Sequence, residues 1–390
     1  MQPLTGAIQN YAWGSTTAIP QILGVEPDGQ PQAELWLGAH PAAPSQVDGR
    51  PLPELITEDP AILGSASVDQ FGPRLSYLMK ILAADQALSL QAHPSRAQAE
   101  EGFAREDAAG IARDAKNRNY VDDWPKPEAL CALGDFEALY GFADPEVTNR
   151  LAAALALPML DQLFAPLTAV GGAEGIKQVF VACCELPDEQ RVVVDDLVQA
   201  AFPHIGDENE LGTFCRTAIE LAAVYPRDPG VLAALLMNRV RLREHEAIFL
   251  PAGNMHAYLR GTGVEIMANS NNVLRGGLTP KHVDVAELSR LVDFTPITPP
   301  KVAAVEGPPG VWRYDTPAPE FALWRLELAN ELAVPGSDRG RIVLVTSGSA
   351  RCGDLHLSAG QSGWLAAGEE ATLTGEGRVF VGGSGVPAVN

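Results

Sequence analysis

Apolar and polar positions divide the chain into three textures. Up to about Gly141, short apolar segments alternate with Gly, Pro and Asp turns, as in Ala33-Glu-Leu-Trp-Leu-Gly and Ala87-Leu-Ser-Leu-Gln-Ala-His. The period of two in the second segment predicts a strand with Leu88 and Leu90 on one face and Ser89, Gln91 and His93 on the other. Pro94 ends it. Ser95, followed three residues later by Gln98, is a capping-box pattern and predicts a helix from Arg96. That helix is acidic and interrupted by Gly102 and Gly110, which places it at the surface.

From Asp144 to Met237 the spacing becomes helical, with abundant Ala and Leu in Leu151–Leu157, Glu189–Ala201 and Glu210–Val224. Asp228-Pro229-Gly230 reads as an N-cap followed by proline at the first helical position. The β pattern resumes at Val240, through Ala247–Gly253 and Gly263–Met267. Asp284 and Glu287 then stand as cap and third helical residue before Leu288 and Leu291. Beyond Pro299-Pro300, short runs separated by glycine (Arg341–Thr346, Gly363–Leu365, Arg378–Val381) predict a small antiparallel sandwich or jelly roll. No fixed-period repeat is apparent.

Composition narrows the function classes. The 390 residues suggest two or three domains, and 46% hydrophobic with 20% charged residues is a globular balance. With 49 acidic and 28 basic side chains the formal charge is −21, which argues against nucleic acid as a partner. The longest apolar runs, Val179–Cys184 and Leu151–Leu160 broken by Pro158, fall far short of the ~20 residues that span a bilayer. Met1-Gln-Pro-Leu-Thr-Gly has no signal-peptide character, so a cytoplasmic protein is expected. Cys131, Cys183, Cys184, Cys215 and Cys352 show no C-x-x-C spacing, so reduced, mostly buried thiols are expected rather than a disulfide framework or cysteine zinc site.

Four fragments carry chemistry. Gln91-Ala92-His93 sets two metal-competent side chains on one strand face. Pro251-Ala-Gly-Asn-Met-His256 follows a strand and resembles the second cupin motif, in which a tight turn delivers a histidine to a barrel mouth. Either fragment alone is weak, because a lone histidine is more often hydrogen-bonded structure than ligand. In Trp124-Pro-Lys126-Pro-Glu128 a cation and a carboxylate share a face. A surface salt bridge would be the bland reading, but the apolar Ala129-Leu130-Cys131 that follows argues for a buried edge. Gln91, His93, Glu128 and His256 together would supply two imidazoles, a carboxylate and an amide oxygen; two imidazoles with one carboxylate is a catalytic zinc set. The fourth fragment, Gly263 to Lys281, threads apolar residues among Glu265, Arg275 and Lys281, as a cavity wall would.

Taken in order, these residues identify a family. Tyr11-Ala-Trp13-Gly, Ala33-Glu-Leu-Trp-Leu-Gly-Ala-His-Pro, Leu88-Ser-Leu-Gln-Ala-His-Pro, Lys126-Pro-Glu, Pro251-Ala-Gly-Asn-Met-His-Ala-Tyr and Glu265 through Lys281 resemble type I mannose-6-phosphate isomerase. The resemblance covers nearly the whole chain and weakens in the helical stretch and the tail. It implies a mainly β bicupin (two jelly-roll barrels) with a helical insertion. The corresponding domains are a catalytic cupin domain in two parts (1–143 and 238–299), the insertion (144–237) and a metal-free cupin-like domain (300–390). It further implies one Zn2+ per chain on Gln91, His93, Glu128 and His256, with Trp13, Ser89, Lys126, Glu265, Arg275 and Lys281 lining the same pocket. A sugar phosphate is then the expected partner, with neither nucleic acid nor membrane, and a monomer is the expected state.

The implied reaction, reversible conversion of mannose 6-phosphate to fructose 6-phosphate, moves a proton between C2 and C1 through an enediol. It needs a base, a stabiliser of oxyanion charge and a phosphate grip. Arg275, always charged, suits the enediolate or the phosphate. Lys126 would shuttle a proton if burial and a metal lowered its pKa, and Glu265 would orient Lys126 or the sugar. Two positions depart from the family pattern. Pro125 stands where many members have histidine, and Asn271 where many have aspartate, so a relay through those side chains is absent here. Two rivals remain at this level: a cupin oxygenase with iron on His93, Glu128 and His256, and a non-catalytic sugar-phosphate-binding protein on the same scaffold.

Overall fold

Two strand-rich sheets and a block of helices account for most of the chain; the computed structural model describes residues 1–386. The first sheet has ten strands, running Met237–Leu242, Phe136–Phe142, His256–Ala268, Tyr77–Ala84, Glu34–Gly38 and Ala7–Gln9, with four short strands paired off this path. The thirteen-residue strand His256–Ala268 organises it. Its first half pairs with Phe136–Phe142, and from Gly261 onward it pairs with Tyr77–Ala84 and Glu128–Ala132. The corner falls at Gly261, whose φ of +122° and close approach to the Asp135 carbonyl leave no room for a Cβ. One strand therefore serves both walls of the enclosure.

Alternation along these strands assigns the two faces. Leu35, Leu37, Met79, Ile81, Val264 and Ile266 pack outward against Phe321, Leu323, Leu344 and Phe380 of the C-terminal sheet. The intervening residues point inward. Leu82, Leu130 and Tyr258 fill one end of the interior with Phe136, while Trp36, Leu78 and Met267 form a small cluster at the other. The Tyr77–Ala84 strand is buried on both faces, so its sequence reads as an unbroken apolar run except for Lys80.

The C-terminal sheet has eleven strands centred on Arg341–Cys352 and Thr372–Gly383, and it includes the N-terminal strand Gln2–Thr5, with Gln2 opposite Trp364. The Tyr77 hydroxyl lies 3.2 and 2.9 Å from the carbonyls of Gly340 and Gly382, linking the two sheets.

Between residues 145 and 234 every regular element is helical. The capping box at Ser95 and Gln98 is present, as are the caps at Asp144, Asn209 and Asp284. Three expectations shift. The helical spacing at Leu151–Leu157 straddles a break, because Pro145–Ala153 ends there and Pro158 opens the next helix. The Ala87–His93 strand shortens to Leu90–Ala92. The helix after Asp228 is the single turn Gly230–Ala234, with Pro229 rather than Asp228 at its boundary. The long helix Gly172–Cys184, whose glycines mask its period, falls between the segments that helical spacing picks out in this stretch; it packs Ile176, Val179, Phe180 and Cys183 into the main core. All five cysteines are free.

Candidate metal centre and its surroundings

His93, Glu128 and His256 come from three different segments and converge inside the first sheet, their ligand atoms all within 4.8 Å of one another. His256 opens the long strand directly opposite Gln91, and Arg275 is Gln91's partner on the other side. Gln91 thus lies between a proposed metal ligand and a proposed anion ligand. All three clustered side chains are buried.

The ring orientations are set by backbone. Nδ1 of His93 is 2.8 Å from the Asn272 carbonyl and Nδ1 of His256 is 3.1 Å from the Asn254 carbonyl. A carbonyl only accepts, so each Nδ1 carries a proton and each ring turns its Nε2 inward. Both Nε2 atoms lie 3.3 Å from a Glu128 oxygen. Neither Nε2 has a hydrogen-bond partner, nor has Glu128 Oε2, and all three atoms are buried. Three orphaned acceptors aimed at one point would be costly in a bare protein, and a bound cation satisfies them together. Carbonyl-oriented imidazoles are the usual outer support of a metal site.

Charge around the cluster favours the ligating forms. Burial, with Lys126 adding to it, pushes the His93 imidazole down to about 4. Burial alone would raise the Glu128 carboxyl, but Lys126 and the two imidazoles hold it well below the usual carboxylate range. Lys126 is itself buried, its Nζ 2.9 Å from Glu128 Oε1.

Behind this cluster lies a network that the sequence reading missed. Lys80 Nζ is 3.0 Å from Glu265 and 3.3 Å from Glu34, the Trp36 indole donates to Glu34 at 2.7 Å, and Tyr258 donates to Glu265 at 2.8 Å. Glu265 is raised by burial and by Glu128 and Glu34, against the pull of Lys80. Burial opposes the Lys80 charge, but Glu265, Glu34 and Glu128 outweigh it and hold the ammonium above the ordinary lysine range. Glu265 therefore pairs with Lys80 rather than with Lys126. The signal available was the single lysine inside Tyr77-Leu-Met-Lys-Ile-Leu-Ala-Ala, since a buried cation must find a carboxylate.

The remaining sequence candidates fall at the edges. Arg275 is half-buried on the strand Leu274–Gly277, and its charge is the first cause lowering the Lys281 ammonium, which is exposed. Neither forms an ion pair among the described residues, so the two cations sit together without a carboxylate. Trp13 is half-buried, stacks on Tyr11 at 5.7 Å and packs, as Leu88 also does, against the interior cluster that holds Phe136 and Tyr258. Ser89 is half-buried just ahead of the strand Leu90–Ala92. Asn271 accepts from or donates to no metal-cluster residue; its side-chain oxygen is 2.9 Å from His40 Nε2.

A buried pair of imidazoles with a carboxylate, enclosed by sheet and flanked by Lys126, is a donor set that suits a divalent metal. Residues 1–144 match the family described as phosphomannose isomerase type I, catalytic domain. Mannose-6-phosphate isomerase of Escherichia coli (strain K12) is 36% identical over 399 residues, covering 97% of this chain and 98% of that protein. The Rattus norvegicus mannose-6-phosphate isomerase is 31% identical, covering 95% and 94%. Among solved structures, a mannose 6-phosphate isomerase bound with zinc and yttrium superposes with a TM-score of 0.88 at 34% identity, over 98% of this chain and 99% of that one. The apo form of the mannose 6-phosphate isomerase from Salmonella typhimurium gives the same score and identity, over the same 98% and 99%. The chain belongs to the type I phosphomannose isomerase family, and it is an isomerase.

Proposed function

We propose that the protein interconverts mannose 6-phosphate and fructose 6-phosphate with one zinc ion per chain, held by His93, Glu128, His256 and the amide oxygen of Gln91. The observation that carries this is the convergence of three buried side-chain atoms, His93 Nε2, His256 Nε2 and Glu128 Oε2, that have no hydrogen-bond partner among the described residues. Zinc there would polarise the sugar's oxygens. The relatives named above, one with zinc bound, support the same reading.

The protein's own groups divide the work. Arg275 and Lys281, unpaired with any carboxylate, hold the phosphate. Lys126, fixed on Glu128, stands where it can move a proton between C2 and C1. Glu265, tethered by Lys80 and Tyr258, aligns sugar hydroxyls, and Trp13 and Ser89 complete the wall. Pro125 has no proton to give and Asn271 is engaged with His40, so the transfer rests on Lys126 with water. We further propose the bicupin arrangement with domains 1–143 plus 238–299, 144–237 and 300–390, a monomer, and a cytoplasmic location; no helix among the described residues is long and apolar enough to cross a membrane.

A coupled assay for fructose 6-phosphate tests the reading. Activity is expected to vanish on chelation and return with zinc, and His256→Ala is expected to bind no zinc. Full activity in zinc-free protein would refute it, as would oxygen consumption with iron.

A further inference from the structure

The helical block meets the loop that follows the strand Leu274–Gly277 at the turn Tyr225–Gly230, beside a second contact where Cys184 Sγ lies 3.7 Å from the Gly276 carbonyl. Asp228 accepts two backbone hydrogen bonds through its two oxygens: one from Gly230 in its own turn at 2.7 Å, and one from Thr279, fifty-one residues on, at 3.1 Å. Thr279 stands between Arg275 and Lys281, and its hydroxyl accepts from the Lys281 N–H at 3.1 Å. Gly230 presses on the same loop: a Cβ there would lie 2.4 Å from the Leu278 nitrogen and 2.9 Å from the Gly277 carbonyl carbon. Leu278 has φ +54°, an unfavourable left-handed conformation for leucine, while its side chain is buried in the main core. Such a conformation persists only when the surroundings fix it. Two carboxylate-clamped backbone groups and a glycine contact supply that constraint. The same turn also braces the neighbouring arm, where the Tyr225 hydroxyl donates to the Ala87 carbonyl at 2.7 Å, two residues before Ser89.

We infer that Asp228 is a positioning residue for the Arg275–Lys281 cation pair: it clamps the loop between them and so sets the spacing with which they receive the substrate's phosphate. This rests on the proposed phosphate role of those two cations. The helical block then contributes to substrate binding through a fixed strut. Asp228 touches neither the sugar nor the metal cluster, so its effect falls on binding rather than on proton transfer.

Asp228→Asn is nearly isosteric and can keep only one of the two bonds, because its amide nitrogen cannot accept. We expect KM for mannose 6-phosphate and the inhibition constant of inorganic phosphate to rise together, each by about 5-fold, as for one lost hydrogen bond of ordinary strength felt at the cations. We expect kcat to change by less than about 2-fold and zinc content to hold, since the bond acts only on binding. In a Lys281→Ala background the same substitution is expected to add much less, because the two act as a unit. Gly230→Ala keeps the carboxylate but sets a Cβ 2.4 Å from the Leu278 nitrogen and 2.9 Å from Asp228 Oδ1, so it displaces the clamp and is expected to raise the same two constants. The proposal is overturned if KM and phosphate inhibition stay unchanged in Asp228→Asn and Gly230→Ala, or if the effects of Asp228→Asn and Lys281→Ala are fully additive. If Arg275→Ala and Lys281→Ala themselves leave phosphate inhibition unchanged, the phosphate reading of those cations fails, and the positioning role with it.

Discussion

Lys80 and Glu265 stand directly opposite each other on adjacent antiparallel strands, their charged ends 3.0 Å apart and both buried. Each lies within a segment whose other face belongs to the hydrophobic layer between the sheets. The pair is the hinge of a four-member chain, Trp36–Glu34–Lys80–Glu265, closed by the Tyr258 hydroxyl.

Removing one partner strands the other. Lys80→Met is expected to destabilise the fold by about 3–5 kcal/mol, because Glu265 and Glu34 are left as buried, uncompensated carboxylates. The double variant Lys80→Met/Glu265→Gln is expected to recover a substantial part of that loss. Urea denaturation of both single variants and the double variant checks this; a double-variant loss equal to the sum of the two single losses would mean that the pair is not coupled.

Lys126 provides the separation between chemistry and metal retention. Lys126→Ala leaves His93, Glu128 and His256 in place, and it removes the ammonium that competes for Glu128. Zinc content is expected to stay near one per chain while turnover falls by about 100-fold or more, as for loss of a general acid–base group. Metal analysis alongside the kinetic assay tests it. Parallel loss of zinc and turnover would make Lys126 a structural residue.

His40 gives a pH signature of stability. Its Nδ1 accepts the Ala42 N–H at 3.1 Å and its Nε2 donates to the Asn271 side-chain oxygen, so the neutral ring satisfies both partners. Protonation would set an N–H against the Ala42 N–H. Burial lowers its pKa, the Asn271 contact and Asp122 oppose this, and Lys80 and Lys126 add to the lowering. A histidine held below its unfolded value contributes stability that is present above that value, about 6.5, and is lost as pH falls beneath it, because the unfolded chain then binds the extra proton. The urea midpoint is expected to fall between pH 7.5 and pH 5, about as other buried histidines also demand, and Gln in place of His40 should make that fall measurably shallower. An unchanged slope in His40→Gln would show that His40 titrates normally.

The sequence made local features legible and left long-range ones hidden. The capping box at Ser95 and Gln98 and the cap at Asp284 are set by neighbours within one turn, and both appear as expected. The His93, Glu128 and His256 cluster was reached through motif order, since no spacing along the chain says that three segments meet. For that same reason spacing assigns no role to Lys80, Glu34 or His40. Their partners lie on other strands or loops, and each alone looks like an incidental polar residue in a strand or before a proline. Pairing of Glu265 with Lys80 rather than Lys126 depends on register, which alternation along one strand does not disclose. The helix Gly172–Cys184 was concealed by glycines at its start.

The pairing of Gln2–Thr5 with Ser362–Leu365 has a consequence for biosynthesis. The strand Gln2–Thr5 leaves the ribosome some 360 residues before its partner, so over that interval it has a bare edge. At about 5–20 residues per second that wait is roughly 20–70 seconds. The closing step also joins segments some 360 positions apart, with the entropy of a very long loop to overcome. The waiting edge is short, with four residues, and only Leu4 is buried in the finished sheet. Its brevity and its alternating polar residues limit what it can recruit before its own partner arrives.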